Sequence, residues 1–107
     1  MVYTKIISTY PQHLSEEVGK AYIEAMKKVP DDKSIAKPVI RAAVEATLEG
    51  FRVTAFNAVK PGKLREALDL ASKRMLIFGK IEGFNYSINL AYNATEAMEF
   101  IGMQAPE

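Results

Sequence analysis

Apolar and polar positions alternate with a period of two across residues 39–60, and the rest of the chain is arranged around that stretch. Ile40, Ala42, Val44, Ala46 and Leu48 fall on one face, with Arg41, Glu45, Thr47 and Glu49 between them. Phe51, Val53, Ala55 and Val59 carry the alternation on, opposed by Arg52, Thr54 and Lys60. The spacing predicts a β-hairpin with a two-residue loop at Glu49 and Gly50. In that register Leu48 faces Phe51, Ala46 faces Val53, Val44 faces Ala55 and Ile40 faces Val59, and Gly50 supplies the positive φ of the turn. A helix drawn through the same residues would stack Ile40, Val44 and Leu48. The pattern instead runs through a glycine into β-branched residues, which favours the hairpin.

Around the hairpin the period changes twice. Val2–Tyr10 is rich in β-branched and aromatic residues on both faces and stops at Pro11, as a central strand would. From residue 14 or 15 to 28, Leu14, Val18, Ala21, Tyr22, Ala25 and Met26 form a helical stripe, with Ser15 as the expected N-cap. Pro61 and Gly62 open a second helix whose stripe is Leu64, Ala67, Leu68, Ala71, Met75 and Phe78. Leu70 and Ile77 add a second apolar line that suggests a partner surface. Residues 84–92 alternate cleanly as a last strand. A short helix over 95–101 follows, closed by Gly102.

This order of elements resembles the ferredoxin-like fold. The expected class is α+β, βαββαβ, over one domain spanning 1–107: a four-stranded antiparallel sheet with two helices on one face and a short C-terminal helix. In that fold the first and third strands are central. The segment VKPGKLREALDLASKRM is similar to its counterpart in the dimeric α+β-barrel group. That resemblance implies a homodimer packed by its open sheet faces. The group's activities include cofactor-independent oxygenation, so it also raises a monooxygenase-like enzyme as an alternative.

Composition narrows the possibilities. Basic and acidic residues nearly balance, 14 against 13, which removes any global pull toward nucleic acid or anionic membrane. Residues 49–56, EGFRVTAF, faintly resemble an RNA-recognition motif, but Arg52 and Val53 stand where that motif needs glycine and an aromatic. RNA binding is thus the weaker alternative. The absence of cysteine excludes disulfides and thiolate chemistry. No apolar run approaches a membrane span and the N-terminus lacks a signal-type core, so the expected location is cytoplasmic.

No catalytic motif stands out, and neither cofactor nor metal is expected. The candidate ligand-binding residues are Tyr3, His13, Arg41, Phe56, Asn57, Asn85, Ser87 and Asn89. His13, the single histidine, could act as an acid or base at a pocket mouth, against the plainer reading of a surface residue at a helix start. Asn57 breaks the apolar face of its strand and could aim an amide at a ligand. Tyr3, Arg41, Phe56, Asn85, Ser87 and Asn89 are expected together on the open sheet face. There Phe56 and Ile7 are too apolar for water. The reading that follows is a homodimeric barrel holding a small organic molecule between two sheets.

Overall fold

The computed structural model describes residues 1–103. Seven elements follow in the expected order: β1 (Val2–Tyr10), α1 (Ser15–Lys28), β2 (Ala36–Thr47), β3 (Gly50–Val59), α2 (Leu64–Phe78), β4 (Asn85–Tyr92) and α3 (Ala94–Glu99). A short 3-10 turn, Gln12–Leu14, links β1 to α1. The strands form one antiparallel sheet in the order β2-β3-β1-β4, with β1 and β3 central. This arrangement is compatible with the ferredoxin-like fold. No helix among the described residues is long and apolar enough to cross a membrane.

Both long helices cover the same sheet face. Their contact stripes are dominated by buried alanines, Ala21 and Ala25 on α1 with Ala67 and Ala71 on α2, which let the elements approach closely. Met75, Phe78 and Ile81 fill the space between them, joined by Ile6, Leu14, Phe84 and Ile88. Full burial of a side chain the size of Met75 or Phe78 contributes about 1.5–3 kcal/mol. Phe78 stacks on Phe84 at 4.8 Å between ring centroids, and Tyr10 stacks on Phe84 at 6.1 Å. Leu70 and Ile77 do not form an outward line. Both are half-buried, and Ile77 packs on the core.

The hairpin forms with the expected face pattern but a different register. Thr47 pairs with Gly50, so the loop residues are Leu48 and Glu49, and Leu48 is fully exposed rather than opposite Phe51. Val44 faces Val53, and Ala46 faces Phe51. From Ala43 to the loop the offset is two residues, which preserves the faces there. Gly50 has φ 138°, as the turn needs, and is held by a second constraint. A Cβ there would lie 2.3 Å from the Tyr10 carbonyl oxygen.

Two register shifts interrupt β2, between Pro38 and Ile40 and between Ile40 and Ala43. Proline cannot donate to the ladder, and an edge strand tolerates such irregularity. The second shift sets both Arg41 and Ala42 against the helix-covered face. It also turns Ile40 to the open face, beside Phe56. Strict alternation places these two the other way round.

The helix ends also differ in detail. Ser15 is not a cap, since its hydroxyl donates to the Gln12 carbonyl at 2.6 Å. α3 is capped by Asn93, whose side-chain oxygen accepts from the Glu96 N–H at 2.9 Å.

Candidate functional site

Between α1 and the helix-covered face of the hairpin lies a cavity of about 350 Å³. Its size falls within the range that small-molecule sites occupy. The sheet wall is Ile6, Ser8 and Tyr10 from β1, Val53, Ala55 and Asn57 from β3, and Arg41, Ala42 and Val44 from β2. Small residues make the room. Ala42 and Ala55 are too short to reach α1, and a Cβ added at Gly19 on α1 would meet no atom within 4 Å. Ser15, Gly19, Tyr22 and Met26 recur at helical spacing and line the helix side.

The cavity is polarised along the strands. Tyr10, Phe78 and Phe84 form an aromatic end, while Asn57, Arg41 and Arg74 lie at the other, near Pro38. Asp31, in the loop between α1 and β2, ties that polar end together. Arg41 donates to it at 2.6 and 3.3 Å, and Arg74 Nη2 donates at 2.8 Å. Arg74 Nε also donates to the Val29 carbonyl at 2.7 Å, bracing α2 against the end of α1. The hydrogen bonds from Arg41 and Arg74 hold the Asp31 carboxyl down at about 2. Asp31 and Arg74 are mostly shielded, with side chains 24% and 16% exposed.

The candidate residues divide into three groups. Arg41 and Asn57 meet at the cavity; Asn57 pairs with Thr4 and Pro38. Tyr3, Phe56, Asn85, Ser87 and Asn89 share the open face, where Tyr3 and Phe56 rings lie 5.6 Å apart and Asn89 donates to Ser87 at 3.1 Å. Arg41 is therefore corrected from the open face to the covered one, displaced by the register shift. His13 sits exposed in the 3-10 turn and lines neither region. Arg74 and Gly19 were not anticipated. A glycine inside a helical segment is the signal that could have found Gly19.

The open face is more apolar than alternation predicts, because Ile40 has replaced Arg41 there. Ile40, Phe56, Ile7 and Tyr3 surround Lys5 in its middle, Glu45 and Arg52 form an ion pair at one end, and the amides of β4 border one side. Among the described residues no group of three or more His, Cys, Asp or Glu side chains could hold a metal. Compared with known protein families, curated proteins and solved structures, the chain has no significant match among any of the three.

Proposed function

We propose that this protein binds a small organic molecule between α1 and the hairpin, and that two copies pair through their open sheet faces. The observation that carries the binding role is the cavity of about 350 Å³, apolar over most of its wall and polar at one end. This reading puts the ligand on the helix side of the sheet rather than between two sheets. A monooxygenase-like reaction in the same cavity is the alternative. Binding is favoured because, among the described residues, no histidine, carboxylate or lysine lines the cavity to move a proton at neutral pH. RNA binding has less support, since the open face carries Ile7, Ile40 and Phe56 with few cations.

Calorimetric titration with a panel of alkyl and aryl alcohols and acids tests the binding role. Saturable one-to-one binding is expected, lost in Ala55→Phe, whose ring would occupy the cavity. Heats of dilution alone across the panel would overturn it.

A further inference from the structure

The polar end of the cavity opens onto a second feature. Pro38 and Arg41 line both the cavity and an adjoining surface cleft at the start of β2. Lys33, Lys37 and Lys60 also line that cleft, so with Arg41 four cations surround one carboxylate, Asp31. In a chain whose net charge is only +1 this is a concentrated positive field. Arg41 is fixed there by Asp31 and still keeps part of its five-donor fork free. The aromatic end, at Tyr10 and Phe84, lies on the far side of the same cavity.

We infer that the ligand is an amphipathic anion, with its apolar body between α1 and the sheet and a carboxylate or phosphate head held by Arg41 at the basic cleft. The inference rests on the binding role proposed above and adds the class of ligand. An apolar tail gains by leaving water for a wall of alanine, valine and aromatic carbon. A planar guanidinium recognises carboxylate and phosphate oxygens in pairs, and the three lysines strengthen the field without fixing geometry.

Octanoate, octyl phosphate and 1-octanol, each titrated into the full chain by calorimetry, separate the possibilities. Both anions are expected to bind at least tenfold more tightly than the alcohol, with the preference shrinking as salt rises. The tighter anion identifies the head group. Arg41→Gln is expected to reduce anion affinity roughly ten- to hundredfold and octanol affinity far less, so that the preference for the anions collapses. If that variant fails to fold by circular dichroism, exposed Lys37→Gln serves instead, with a loss of about threefold. Equal binding of octanol and both anions would overturn the anionic head and leave the binding role standing. No binding of any of the three would overturn both.

Discussion

Arg41 reaches back ten residues to close on Asp31, its Nη2 donating to Oδ2 at 2.6 Å and its Nη1 to Oδ1 at 3.3 Å. The same carboxylate accepts from Arg74, so one loop residue fastens an edge strand to a helix. The Asp31 carboxyl sits at about 2 in the folded chain and at its ordinary value near 3.8 when unfolded. Between those values the unfolded chain binds more protons, so stability rises with pH across that window. The contribution is complete above about pH 5 and is lost as pH falls toward 2. Because Arg41 is 48% exposed, solvent screening limits it to about 1 kcal/mol. Asp31→Asn should lower the melting temperature at pH 7 by about 5 °C and flatten the profile between pH 2 and 4. Thermal unfolding followed across pH checks both.

Gly50 and Gly62 both have positive φ, at 138° and 75°, yet their surroundings differ. A Cβ at Gly50 would meet the Tyr10 carbonyl oxygen at 2.3 Å and Pro11 Cα at 3.0 Å, both backbone atoms. At Gly62 it would meet nothing within 4 Å. Gly62→Ala should therefore cost only the backbone term, about 1 kcal/mol. Gly50→Ala must also push β3 away from the end of β1 and should cost at least about 3 kcal/mol. Urea unfolding of the two variants measures the difference.

Alternation of side chains specifies faces, which is why the helix-covered and open faces of the sheet were readable from residues alone. It does not specify which two residues make a loop. Leu48 reads as one more apolar strand residue, yet it turns the corner because Gly50 is needed opposite Thr47, under the end of β1. The register shifts in β2 were hidden for a related reason. A strict period of two sends Arg41 outward, and only Pro38 hints that the strand is irregular. The cavity was the least legible feature. It arises from what Ala42, Ala55 and Gly19 leave empty, and from Arg74, which lies many residues from the Asp31 it contacts.

Gly19 lies within α1, where glycine costs about 1 kcal/mol relative to alanine. Added bulk there meets no atom within 4 Å, so packing does not require the glycine. Gly19→Ala should stabilise the fold by about 0.5–1 kcal/mol. Gly19→Leu should retain the fold, extend into the cavity and weaken octanoate binding by tenfold or more. Stability without loss of binding in Gly19→Leu would place the ligand elsewhere.

Phe56 tests the pairing of two copies. It lies on the central strand β3, flanked by Ile40 on one side and Lys5 on the other, with the Tyr3 ring 5.6 Å away. The two long helices, α1 and α2, pack on the opposite face. An apolar patch at the middle of a sheet gains most by meeting another such patch, and a twofold pairing would set like against like. The wild-type chain should sediment as a dimer at micromolar concentration. Phe56→Lys adds a charge to each copy at the centre of the contact and should shift it to monomer. Because Phe56 lies on the face away from α1 and α2, the monomeric variant should keep the wild-type circular dichroism. A wild-type monomer by sedimentation would end the pairing proposal, and Asn85→Ala, at the polar border, should leave the dimer intact in either copy.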